Sequence, residues 1–261
     1  MSRTNANWPY PLLFAHRGGG SLAPENTLAA MKKGYERGYF AFEFDVKLTA
    51  DDIAILMHDS TLERTTNGQG FVAEKTIAEL EQLDAGSWHG AAFRGEPVAR
   101  FSTVAKYLHG LGLMANVEIK PCAGREMVTG KRVAELCREL WADRLVQPLI
   151  SSFSIETLRA ARAAASALPM GLLVEQPVKE HLPLLQELQC VSIHAHHQHI
   201  TPDGVRFFHD LGYRVLTYTV NDPARVRELL EMGVDGLFTD RLDEMARQFP
   251  DGLRGPIGFK N

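Results

Sequence analysis

The 261-residue sequence predicts an α/β fold, a closed (β/α)8 TIM barrel, on two observations. Short apolar runs with strand character alternate with helical patterns about eight times, the mark of a parallel sheet with helical crossovers. Eight such units within about 250 residues close most simply into a barrel, ahead of an open doubly wound sheet. A single domain over 1–261 is expected, with an insertion at about 60–103.

In chain order the strand runs are LLFAH (12–16), FAFEFDV (40–46), LMANVEI (113–119), PLISSF (148–153), MGLLVE (170–175), CVSIHA (190–195), RVLTYTV (214–220) and GLFTD (236–240). Helical patterns follow at 26–38, 129–142, 154–167, 178–188, 201–212 and 221–233. The rhythm breaks once. After Val46 come a short apolar run, IAILMHD, a turn-rich piece, RTTNGQG, a short helix candidate, TIAELEQLDAG, and a loop, SWHGAAFRGEP. This reads as an insertion in the second βα connection, and long insertions at that end of a barrel shape active sites.

Bulk properties narrow the classes. The net charge is −4, with 45% hydrophobic and 23% charged residues, so nothing suggests a nucleic-acid partner. No apolar run is long enough for a membrane span, and MSRTNANWPYP lacks the apolar core of a signal peptide. Three cysteines, Cys122, Cys137 and Cys190, show no CxxC spacing and read as ordinary buried thiols. A cytoplasmic enzyme acting on small molecules, with no nucleic-acid or membrane partner, is the expectation.

In FAFEFDVKL, Glu43, Asp45 and Lys47 share one strand face and Phe42, Phe44, Val46 and Leu48 the other. A wet edge strand would explain that segment alone. NVEIK, however, repeats the pattern, with Asn116, Glu118 and Lys120 opposite Val117 and Ile119. In a barrel the apolar faces pack on the helices and the polar faces point inward, aiming Glu43, Asp45 and Glu118 at one point. Three uncompensated carboxylates repel, so one hard divalent cation is implied, Mg²⁺, Ca²⁺ or Mn²⁺ in preference to zinc.

AHRGGG places His16 and Arg17 at a strand end, before three glycines. Glycines there let backbone N–H groups approach an anion, Pro24 and Glu25 suit the first helical turn, and Arg17 offers a fork for phosphate oxygens. A phosphate ester is the suggested substrate. If IAILMHD folds back on the Glu43/Asp45 strand, His58 reaches the same rim. His16 and His58 would then form an acid–base pair, with Lys120 stabilising phosphoryl charge. The run HAHHQH (194–199) invites a metal reading. His194 and His196 share a parity, but His197 and His199 fall beyond the strand and no acidic residue sits among them. Pocket lining or adventitious nickel binding is the expected role.

In order and spacing, HRGGGSLAPENT, FEFDVKLTADD, LMHDSTLERTTNG, DAGSW and NVEIKP resemble the glycerophosphodiester phosphodiesterase family. The likeness extends over essentially the whole chain, through VSIH, YTVN and GVDGLFTD, and NWPYP resembles cytosolic bacterial members linked to glycerol-3-phosphate uptake. The resemblance implies the barrel with a small insertion after its second strand. It implies Glu43, Asp45 and Glu118 as metal ligands, His16 and His58 as the acid–base pair, and Arg17 and Lys120 on the phosphate. It also implies Asn26 near the site, and Phe153 and Tyr218 lining a glycerol pocket. Tyr218 stands where many relatives carry tryptophan. The implied reaction converts a glycerophosphodiester and water to sn-glycerol 3-phosphate and an alcohol, through a cyclic phosphate. Its order, with His16 as first base, rests on analogy.

Overall fold

The computed structural model describes residues 8–255. The expectations for a leaderless N-terminus, and for Asn7 of NWPYP, fall on residues 1–7, outside the described residues. Among the described residues nine strands run in chain order: β1 (Leu13–Ala15), β2 (Ala41–Leu48), β3 (Ala54–Leu56), β4 (Met114–Ile119), β5 (Leu149–Ser152), β6 (Met170–Val174), β7 (Ser192–His196), β8 (Arg214–Tyr218) and β9 (Gly236–Thr239). Every strand run expected from the sequence is present. All but β3 pair in parallel, and contacts of β1 with both β2 and β9 close the eight into a barrel.

The helices are α1 (Leu28–Glu36), α2 (Ile77–Leu80), α3 (Phe101–Gly110), α4 (Glu126–Leu140), α5 (Ile155–Ala164), α6 (Leu182–Glu187), α7 (Pro202–Asp210), α8 (Pro223–Met232) and α9 (Leu242–Gln248). Helices α3, α6 and α9 differ from expectation, α9 lying where no helical pattern is named. Helix α3 was not anticipated, and the expected end of the insertion at about 103 falls in its first turn. Helix α6 is shorter than 178–188, because residues 179–181 form a separate 3₁₀ turn.

The alternation in β2 builds two cores. Phe42, Phe44, Val46 and Leu48 turn outward into the main core beneath the helices. There Phe44 meets Phe101 at 6.1 Å between ring centroids, and Phe101 stacks on Trp141 at 6.0 Å. Each fully buried side chain of this kind contributes about 1.5–3 kcal/mol. Inside the barrel, Phe14, Ala41, Leu149, Leu216 and Phe238 fill the lower half, and Trp8 and Tyr10 join them. The Tyr10 hydroxyl donates to the Gln147 carbonyl at 2.8 Å. The barrel bottom is therefore packed, leaving the polar inward positions of β2 and β4 at the opposite end.

Strand β3 pairs antiparallel with β2, Val46 opposite Leu56, as the fold-back reading of IAILMHD requires. The next residue continues the match, Met57 N donating to Asp45 O at 3.1 Å. The following segment has its own small core of Ile55, Met57, Leu62, Val72, Leu80 and Val98. A capping box of Thr76 and Glu79 starts α2, and Asp84 accepts the amides of Gly86, Ser87 and Gly95. The three cysteines are buried and unpaired.

Candidate active site

Parallel pairing sets Asp45 opposite Glu118 and Glu43 opposite Asn116. One carboxylate oxygen from each of Glu43, Asp45 and Glu118 lies within 4.8 Å of the others. Glu43 Oε2 accepts the Arg17 amide at 2.9 Å, while its Oε1 is buried without a partner. Burial first, then the Asp45 charge, pushes both Glu43 and Glu118 above the usual carboxylate range. Asp45 goes the other way: burial raises it, but the charges of Arg17, His58 and Lys120 outweigh burial and hold it low. An all-oxygen set with an orphaned buried oxygen fits a hard divalent cation, whose charge would let all three ionise.

Asn26 is what aims Asp45. Its side chain donates to Asp45 Oδ2 at 2.8 Å and accepts the Asp45 amide at 3.0 Å. Asn26 is itself 4% exposed, adopts a left-handed backbone with φ of 59°, and stands behind the carboxylates. That conformation cannot continue a helix, so α1 begins later, at Leu28, with the Thr27 hydroxyl accepting the Ala30 amide. Pro24 and Glu25 precede α1 instead of opening it.

Each histidine is backed by a carboxylate. His16, just past β1, bonds through Nδ1 to Asp240 Oδ1 at 2.7 Å, with Nε2 at 3.7 Å from Glu43 Oε2. His58, just past β3, bonds through Nδ1 to Asp59 Oδ1 at 2.6 Å. Burial lowers the pKa of His16, but the Asp240 bond and the Glu43 charge overcome it and leave it raised; burial dominates at His58, which is lowered. Arg64, on the insertion, grips both Asp59 and Glu25. Asp240, Asp59 and Arg64 carry no role in the sequence reading, and Glu25 carries only that of a helix start. Asp59 is adjacent to His58 in HD, and Asp240 ends the apolar run GLFTD, which are the only local signals for them.

Arg17 sits between Glu25 Oε1, at 2.8 Å, and Asp45 Oδ2, at 3.6 Å from its Nε. Lys120 Nζ lies 3.2 Å from Glu118 Oε1 and 4.0 Å from Asp45 Oδ1. Gly18 and Gly20, between Arg17 and α1, act differently from expectation. Gly18 and Gly20 have φ of 86° and 52°, and their amides donate to Ala15 O and His16 O. A Cβ on Gly20 would collide with the Asp240 carbonyl. The glycines thus fold the turn against β9's end, and Arg17 is left to face the site.

These groups surround a cavity of about 230 Å³, lined by His16, Arg17, Glu43, His58, Glu118 and Lys120 among others. Phe153 and Tyr218 form an aromatic wall, their rings edge-on at 5.9 Å, with Lys120 Nζ 5.9 Å from the Phe153 centroid. Of the histidine run, His194 is fully buried at the cavity floor, bonded to Ser192 Oγ at 2.9 Å. His196, His197 and His199 stand at the rim, and Glu175, from the neighbouring strand end, joins His196 and His199.

Fold and site together define a (β/α)8-barrel enzyme whose mouth holds three carboxylates between two carboxylate-backed histidines. Residues 16–244 match the glycerophosphoryl diester phosphodiesterase family, and the chain belongs to that family. A glycerophosphodiester phosphodiesterase of Caldanaerobacter subterraneus subsp. tengcongensis is 33% identical over 231 residues, covering 88% of this chain and 93% of the relative. One from Bacillus subtilis is 30% identical, covering 89% and 84%. Among solved structures, an Oleispira antarctica phosphodiesterase in complex with the product sn-glycerol-3-phosphate has a TM-score of 0.86 at 31% identity, covering 92% of this chain and 97% of that one. The Agrobacterium tumefaciens glycerophosphodiester phosphodiesterase has 0.78 at 29%, covering 91% and 99%. The chain is accordingly an enzyme that hydrolyses glycerophosphodiesters. Among the described residues no helix is long and apolar enough to cross a membrane.

Proposed function

We propose that this enzyme converts a glycerophosphodiester and water to sn-glycerol 3-phosphate and an alcohol by metal-dependent, two-histidine catalysis. The single domain is 1–261, with the insertion at about 60–103 closing one side of the mouth, and it works as a cytoplasmic enzyme. The observation that carries the reading is the pair of carboxylate-bonded imidazoles, His16–Asp240 and His58–Asp59, lining one cavity with Glu43 and Glu118 of the carboxylate triad.

Each Nδ1 is held by a carboxylate, which fixes the ring and leaves Nε2 for proton transfer. Glu43, Asp45 and Glu118 would hold one divalent cation, Mg²⁺ by preference. When bound, it supplies Lewis-acid polarisation of phosphate and glycerol oxygens. Arg17 and Lys120 bind the phosphoryl oxygens and offset charge that grows there. Phe153 and Tyr218 wall the glycerol moiety. One histidine takes the proton of the glycerol 2-hydroxyl as its oxygen attacks phosphorus. The other gives a proton to the departing alcohol oxygen, leaving a five-membered cyclic phosphate. Water then attacks phosphorus with the roles reversed, the bond to O2 breaks, and glycerol 3-phosphate forms. The internal nucleophile benefits from proximity.

The test is release of glycerol 3-phosphate from glycerophosphocholine, with Mg²⁺ and with EDTA, beside Glu43→Ala/Asp45→Ala. Activity requiring both metal and carboxylates supports the centre; turnover surviving EDTA or the double variant refutes it. A 2-deoxy substrate should be inert, and its normal hydrolysis would refute the cyclic route alone.

A further inference from the structure

The geometry points to a second metal site, separate from the carboxylate triad, in which Glu175, His196 and His199 bind a borderline transition-metal ion of the Zn²⁺ class at the barrel rim. Three features of the chain produce it. Parallel pairing of β6 and β7 sets Val174 opposite Ala195, and the His196 amide donates to the Glu175 carbonyl at 3.2 Å. The ends of two strands therefore bring Glu175 beside His196. Residues 197–199 then form a 3₁₀ turn. His196 caps this turn from the end of β7, and the turn carries His199 back beside it. Their ring centroids are 5.9 Å apart, and His199 Nε2 is 3.5 Å from Glu175 Oε1.

One donor atom from each of the three lies within 4.8 Å of the other two. Donors around a single zinc ion stand about 3.3 Å apart, given metal–donor bonds of about 2.0–2.2 Å. The His199–Glu175 pair is already at that spacing, and the half-exposed side chains can turn the remaining distance. Two imidazoles and one carboxylate suit Zn²⁺ far better than Mg²⁺, the reverse of the triad's all-oxygen preference. Three protein donors also leave coordination open to water or an anion. The other histidines of the run take no part. His194 is buried against Ser192, and His197 stacks on His196 at 4.8 Å with its Nδ1 buried. The site adjoins the cavity wall, since the His196 ring meets Tyr218 edge-on at 5.9 Å and the Tyr218 hydroxyl donates to Val174 O.

The test is calorimetric titration of untagged protein, held in excess Mg²⁺, with Zn²⁺, in parallel with visible d–d absorption of added Co²⁺. Wild type is expected to bind one zinc ion with an affinity that falls more than about tenfold in His196→Ala/His199→Ala and in Glu175→Gln, with the Co²⁺ band lost. A Glu43→Gln/Glu118→Gln variant should keep both signals. Zinc affinity equal in wild type and the histidine double variant would overturn the proposal. So would zinc binding that disappears only with the triad variant. Circular dichroism of each variant guards against loss of fold.

Discussion

Replacing Asn26 by alanine removes two hydrogen bonds to Asp45 and places an ordinary L residue at a φ of 59°. The bond to the Asp45 carboxylate is worth about 1.5 kcal/mol, and orphaning the buried Asp45 amide costs about 1 kcal/mol, both at the low end of the usual range. Alanine in the left-handed region adds about 1 kcal/mol that glycine avoids. Asn26→Ala should therefore lose about 3.5 kcal/mol of stability and Asn26→Gly about 2.5 kcal/mol. Urea unfolding followed by tryptophan fluorescence reads both, since the chain has three tryptophans. A glycine variant as stable as wild type would refute the hydrogen-bond account. Equal losses for alanine and glycine would refute the backbone account while leaving the bonds in place.

Asp240→Asn should lower kcat by about 10²-fold or more, because His16 loses the carboxylate that orients it, with KM little changed; unchanged kcat would remove Asp240 from the reaction. Gly20→Ala should destabilise the fold by about 1–3 kcal/mol, as its Cβ collides with the Asp240 carbonyl at a left-handed φ; a wild-type melting curve would contradict it. Burial raises the Glu25 pKa, but the Arg64 hydrogen bond and Arg17 charge outweigh burial and hold it lowered. Its stabilisation is thus complete above the unfolded pKa of about 4.3 and is lost as the pH falls through the lower folded value. Arg64→Ala should flatten that acid-side loss in urea titrations across pH, and an identical pH slope would show that Glu25 draws nothing from Arg64.

What could be read from the sequence is what repeats at short range. The inward carboxylates of FEFDV and NVEIK show themselves because strand parity is local, and His58 follows from a fold-back only a few residues long. Asp240 and Glu175 could not be found that way. They reach His16 and His199 only through strand pairings that close a barrel, and no local spacing encodes that register. Helix α3 has a local signal, since Phe101, Val104, Ala105 and Leu108 have helical spacing. Its start carries no side-chain cap, however, and it directly follows the irregular insertion. Gly18 and Gly20 read as part of an anion cradle because a phosphate turn and a close-packed turn need the same residue. Only the partners of their amides separate the two.

The aromatic plug of Trp8, Tyr10, Phe14 and Phe238 makes the barrel a vessel with one opening. On the proposed reaction, substrate, water and both products would all pass the mouth that this leaves open among the described residues. On the proposed reaction, glycerol 3-phosphate added from outside should compete with substrate at this mouth, read as product inhibition in the release assay.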